Sequence, residues 1–233
     1  MKILAPLVLA LVLAAPLASC GGTAQYYRYK LVIELLVNGE IKNGSTVVEL
    51  VYEVRPTLQG GTQTGTGVVK GEALFIDLGP GRRPLVATLH RGPANELSGL
   101  NPYGPRALFP AYGLKGTGKP GDPAPTIDDL KAFIGSGPKE IGPEELPFLV
   151  TFTDTGDMRS AIEIDPNEMA EALGSDVALS RATIEITDEQ VTSSDIENRL
   201  PWLKVPYSGP MTRRTDQPTK TSDFMGRHLF YQR

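Results

Sequence analysis

From Tyr27 to Val37 the chain alternates without a break. Tyr27, Tyr29, Leu31, Ile33, Leu35 and Val37 share one face, and Arg28, Lys30 and Glu34 lie on the other. A period of two sustained over this length is the pattern of a β-strand. The stretch "NGEIKNG" follows at 38–44 with a turn signal at each end, and Val48, Leu50, Tyr52 and Val54 then alternate against Glu49 and Glu53. The pattern predicts a long antiparallel hairpin.

The segments downstream are shorter. "LQGGTQTGTGVVKG" at 58–71 reads either as a loop or as a loose strand, and "EALFIDL" and "PLVATLH" around "GPGRR" predict a second hairpin over 72–90. Residues 91–125 are rich in proline and glycine and have no periodicity. Such a stretch is a functional loop, a cover over the sheet, or partly disordered. "TIDDLKAFIG" predicts a short helix with Thr126 as N-cap and Gly135 as stop, and "LPFLVTF" and "SAIEI" bracket "TDTGDMR" as a third hairpin. In "DPNEMAEALG", Asp165 is expected as N-cap with Pro166 at the first helical position. "VALSRATIEITDE" predicts a strand with the face Ala178, Ser180, Ala182, Ile184, Ile186; "SSDIENRLPWL" predicts a short helix ended by Pro201, with Trp202 docked on the core. The expected fold class is α+β, a mainly antiparallel sheet built of hairpins with two or three short helices.

Composition supports a turn-rich chain, since glycine and proline number 25 and 20. A single cysteine rules out a disulfide within the chain, so stability must come from packing. The formal charge of −4, from 23 Lys+Arg and 27 Asp+Glu, argues against nucleic acid as a partner.

The N-terminus has the form of an export signal. Lys2 precedes a run that is apolar from Ile3 to Leu17, too short to span a bilayer as a mature helix. Leu17-Ala18-Ser19-Cys20 resembles the lipobox of bacterial lipoproteins. That resemblance implies a signal peptide of 1–19, diacylglycerol on the Cys20 sulfur and acylation of the new amino group. The alternative is an ordinary signal peptide cut near Ala18, leaving Cys20 as a free thiol. Gly21 in place of an aspartate implies, by the same resemblance, the outer membrane facing the periplasm rather than the inner membrane. The expected organisation is then a lipidated tether at 20–25, one α+β domain at 26–203 and an extended tail at 204–233, in which "HLFYQ" is able to pin back. Loss of Lys2 makes the mature charge 22 − 27 = −5.

"YRYKL" (27–31), "GSTVVEL" (44–50), "IEITDE" (184–189) and "IENRLPWL" (196–203) together resemble a group of small, uncharacterised proteobacterial lipoproteins. The likeness spans most of the mature chain, its motifs are structural, and it implies no activity and no catalytic residues.

Motifs for chemistry are sparse. "GLKGTGKP" at 113–120 comes close to a phosphate-cradling loop, but Pro120 stands where a Mg²⁺-binding hydroxyl is needed, and "GDPAP" cannot continue as a helix. No nucleotide is therefore expected. His90 and His228 are the two histidines; neither accompanies a Gly-x-Ser-x-Gly elbow or a carboxylate set with zinc-ligand spacing. Asp154 and Asp157 flank a turn, where they serve either weak Ca²⁺ binding or glycan hydrolysis, or simply the turn itself. Asp128 and Asp129 suit a helix N-terminus, and Arg28, Lys30, Glu49 and Glu53 suit cross-strand pairs. No cofactor or metal is expected.

Arg91, Tyr103, Arg106, Phe109 and Tyr112 stand in the long loop and are the residue types that anchor interfaces. They are candidates for partner binding; the competing expectation is a loop folded down over the sheet with its rings buried. The leading functional expectation is a membrane-anchored, non-catalytic binding or accessory component of the envelope, held by lipid on Cys20 and meeting an envelope protein or cell-wall partner. A carboxylate-dependent envelope hydrolase and a lipid carrier using the sheet's concave face are the alternatives.

Overall fold

A computed structural model describes residues 23–56, 62–92, 102–114, 127–193, 195–204 and 230–232. The signal segment, Cys20, Thr126, His228 and most of the 113–120 motif lie outside the described residues. The strands in chain order are β1 (Thr23–Val37), β2 (Glu40–Pro56), β3 (Thr62–Glu72), β4 (Leu74–Ile76), β5 (Leu85–Ala87), β6 (Lys139–Glu140), β7 (Leu149–Phe152), β8 (Ala161–Ile164), β9 (Val177–Thr187) and β10 (Tyr231–Gln232). The helices are α1 (Pro105–Ala111), α2 (Ile127–Lys131), α3 (Met169–Leu173) and α4 (Ile196–Arg199).

The first hairpin follows from the alternation and from glycine placement. β1 and β2 pair antiparallel in one register from Thr23↔Val54 to Val37↔Glu40. Asn38 and Gly39 join them with φ 52° and 82°, the two positive values of a type I′ hairpin turn. The second Asn-Gly, expected as another turn, lies inside β2 with Gly44 opposite Ile33. Its glycine serves a close approach instead: a Cβ there would stand 2.9 Å from Cγ1 of Ile76 on β4.

The hairpins assemble into two antiparallel sheets. One has six strands in the order β10-β3-β2-β1-β9-β6, and the other has four in the order β4-β5-β7-β8. The fold is thus α+β and mainly antiparallel. The "loop or loose strand" is β3, and β1 starts at Thr23, inside the stretch expected as tether.

The inner face of the large sheet carries Tyr29, Leu31, Ile33, Leu35, Val48, Leu50, Ile184 and Ile186, all buried against Leu74, Ile76, Leu85 and Leu149 of the small one. Each such side chain contributes about 1.5–3 kcal/mol of transfer free energy, most of it offset by chain entropy. The far face of the small sheet bears Val86, Phe148, Val150 and Phe152. It is covered by Ile196 and Leu200 of α4, Leu203 in the 3-10 turn Pro201–Lys204, half-buried Trp202, and Phe230 from the C-terminal segment. β5 and β7 are therefore buried on both faces, which accounts for the apolar run "LPFLVTF". The Glu72 carboxylate accepts the Ile196 N–H at 3.2 Å, and the Glu72 carbonyl accepts the Thr46 hydroxyl at 2.8 Å. The first bond ties the start of α4 to the end of β3, and the second ties that end to β2.

Three local expectations are corrected. On β9 a register shift opposes Leu35 to Leu179 but Glu34 to Arg181, leaving Ser180 as an extra residue. The inward face consequently runs Val177 and Leu179, then Ala182, Ile184 and Ile186, while Ala178 and Ser180 are exposed. Asp165 does not cap a helix; its Oδ1 accepts the Asn167 N–H at 2.8 Å in an Asx-turn, and α3 starts at Met169. The aperiodic 91–125 stretch contains α1, with Pro105 at its first position and Pro110 inside it.

Candidate functional site

The loop residues expected to meet a partner are folded inward. Tyr103 is 0 % exposed, and its ring meets Tyr29 edge-on with centroids 5.7 Å apart. Tyr112 is 8 % exposed; its hydroxyl donates to the Gly137 carbonyl at 3.1 Å and accepts the Ile186 N–H at 3.3 Å. Its ring tilts against Phe133 at 4.8 Å, with the Lys139 ammonium 5.6 Å from the centroid. Phe109 is half-buried against the same cluster. Arg91 is half-buried in the bend after His90, and the Arg106 side chain lies outside the described residues. The rings of Tyr103 and Tyr112 are core, as the competing expectation of a loop folded over the sheet had it, because α1 lays them on the apolar face of β1 and β9. Gly104 permits that seating. It has φ +101°, and a Cβ there would stand 2.8 Å from Cδ1 of Leu50 and 2.9 Å from Cε1 of Tyr29.

The carboxylate candidates are engaged locally. Asp154 Oδ1 accepts the Gly156 N–H at 2.8 Å, and Asp157 Oδ1 accepts the Arg159 N–H at 2.9 Å, as turn chemistry requires. Asp128 and Asp129 sit in the first turn of α2. His90 is buried, with its backbone bridged to Pro102. Among the described residues no three His, Cys, Asp or Glu side chains are grouped to hold a metal. The inner face of the large sheet is packed against the small sheet.

What remains open is the outer face of the large sheet. Its middle is a charged band. Arg28 stands opposite Glu49 in the register and pairs with it, Nη2 to Oε2 at 2.8 Å. Lys30 pairs with Glu189 at 2.8 Å, not across the first hairpin. Glu189 belongs to a strap leaving β9: Arg28 Nη1 donates to the Glu189 carbonyl at 3.2 Å, and Thr192 exchanges bonds with Val47, Val47 N–H to Oγ1 at 2.8 Å and Thr192 N–H to the Val47 carbonyl at 3.1 Å. The strap thus crosses β1 and β2 and buries Val47.

Exposed apolar side chains stand on this face to either side of the strap. Toward the hairpin tip, Leu36 pairs directly with Ile41 and neighbours Ala178; Leu36 is 41 % and Ile41 49 % exposed. At the opposite end Tyr26, 50 % exposed, pairs with Val51. Sequence reading missed both patches, although a signal was present: Tyr26, Val32 and Leu36 interrupt the polar face of β1.

The tip is tied by charged hydrogen bonds. Arg82 grips Asp176 with two hydrogen bonds, Nη1 to Oδ1 at 3.0 Å and Nη2 to Oδ2 at 2.5 Å. The Asn38 N–H donates to the Asp176 carbonyl at 3.2 Å, and with its amide oriented to suit both partners Asn38 also donates to Asp176 Oδ2 at 2.9 Å. These bonds join the β1–β2 turn, the β4–β5 loop and the approach to β9. The hydrogen bonds from Arg82 hold the Asp176 carboxyl below the usual carboxylate range and raise the guanidinium in turn.

Compared with protein-family models, curated proteins and solved structures, the chain matches none.

Proposed function

We propose that this chain is a lipid-anchored, non-catalytic binding component of the bacterial cell envelope. Lipid on Cys20 holds it to the outer membrane, and the tip of its large sheet engages an envelope protein. The observation that supports this reading is the Leu36–Ile41 pair, exposed side by side on strands whose turn is clamped by Arg82 and Asp176. Apolar side chains presented on a rigid scaffold suit a protein interface, where little ordering entropy is lost on docking. The lipobox likeness at Leu17–Cys20 supports the anchor. The partner-binding role expected of the 91–125 loop passes to the tip, because Tyr103 and Tyr112 are buried.

The test is cross-linking in living cells with the full-length protein and with a variant carrying Leu36→Lys and Ile41→Lys. Both positions are exposed, so each substitution is expected to change stability by only about 0.5 kcal/mol. The wild type should yield one reproducible stoichiometric partner, and the variant should lose it while remaining in the membrane fraction. Equal yields from both proteins overturn the tip as the docking surface.

A further inference from the structure

We infer that the open end of the large sheet, where β1 begins and β2 runs into β3, seats on the bilayer surface, with Tyr26 among the lipid headgroups and the Asn38–Gly39 tip carried away from the membrane. This rests on the proposed lipidation of Cys20.

The argument starts from covalent reach. Only Gly21 and Gly22 separate Cys20 from Thr23, where β1 begins. Three virtual bonds span at most about 11 Å, and the polar layer on each side of a bilayer is itself about 5–7 Å thick. A lipidated Cys20 therefore holds the start of β1 to within a few ångströms of the polar layer, roughly the difference between those two lengths. The register adds that Thr23 faces Val54 and that Pro56 faces Thr62, so the same end of the sheet holds three strand termini. β1 has 15 residues. At about 3.3 Å per residue the hairpin turn lies about 45–50 Å from that end.

A single point of attachment would still allow the sheet to lie flat. Charge opposes that pose. The band beside the anchored end is internally neutralised, Arg28 by Glu49 and Lys30 by Glu189, so it offers no surplus cation to anionic headgroups. The mature chain carries 22 basic against 27 acidic side chains and is repelled by such a surface. Tyr26 and Val51 form the apolar pair at this end, and an exposed tyrosine matches the boundary between tails and water.

The experiment uses full-length, lipidated protein in vesicles of phosphatidylethanolamine and phosphatidylglycerol. Cys20 is the chain's single cysteine, and lipidation removes its thiol, so an introduced cysteine takes an environment-sensitive fluorophore uniquely. Tyr26→Cys and Glu40→Cys are labelled separately and exposed to lipids bearing a headgroup nitroxide. The label at 26 should be quenched several-fold and the label at 40 unaffected. Quenching at 40, or none at 26, in protein that floats with the vesicles overturns the orientation alone. Protein that does not float, with an unmodified Cys20 by mass, overturns the anchor and the orientation together.

Discussion

Tyr29 leaves no room for a side chain at Gly104: a Cβ on Gly104 would lie 2.9 Å from Cε1 of Tyr29. Alanine at 104 would have to resolve that overlap while holding φ +101°. Left-handed backbone costs a non-glycine residue about 1–2 kcal/mol, and overpacking a core costs about 1–3 kcal/mol more. Gly104→Ala should therefore destabilise by about 3 kcal/mol, read as a lower urea midpoint at unchanged slope. Adding Leu50→Ala, which empties the other contact, should make the two losses less than additive.

Tyr29 gives an alkaline signature. Burial, with a smaller contribution from Tyr27, pushes its hydroxyl far above the ordinary phenol value. The unfolded chain loses that proton near pH 10, roughly the free value, whereas the folded chain keeps it. Stability is then complete below about pH 10 and falls as pH rises further. Tyr29→Phe removes the group that ionises, so the wild-type Tm should drop more steeply than the variant's above that pH.

Asp176 gives the opposite sign. Its folded carboxyl titrates below the unfolded one, so its contribution is present above about pH 4 and disappears as pH falls through the folded value. The Tm gap between wild type and Asp176→Asn should be full near neutrality and close in acid. A gap that stays constant across that range would show that Arg82 does not stabilise the charged form.

Phe230 tests the second hydrophobic layer. It is 0 % exposed, stacks edge-on with Trp202 at 5.2 Å and lies 6.2 Å from Phe152. Phe230→Ala should cost about 3–5 kcal/mol. Trp202 is the single tryptophan, so its emission reports the change directly and should shift to the red.

Where one local rule operated alone, the fold was legible. Strict alternation announced β1 and β2, and the Gly-Pro-Gly and Thr-Gly turns announced the hairpins of the small sheet. Where two rules competed, it was not. Gly44 obeys the approach of β4 and not turn chemistry, Ser180 moves the inward face of β9 by one residue, and α1 forms although Pro110 lies within it. The tip patch was half visible, since Leu36 breaks the polar face of β1. Its neighbours Ile41 and Ala178 meet it only through pairing that the turn and the bulge determine. That Tyr103 faces inward was one of two expectations for the loop, and composition did not choose between them, because it says what a ring can bind and not which side of the sheet it reaches.

The Phe230 contact also sets an order of events. The Ala73 N–H donates to the Phe230 carbonyl at 2.8 Å, so a residue near the middle of β3–β4 is completed by one translated long after it. Until that segment emerges, Val86, Val150 and Phe152 lack part of their cover. Contacts this distant in sequence are slow to form, and the apolar surface they leave open invites association in the meantime. A chain cut short of Phe230 is therefore expected to leave that apolar surface open even with its first hairpin paired.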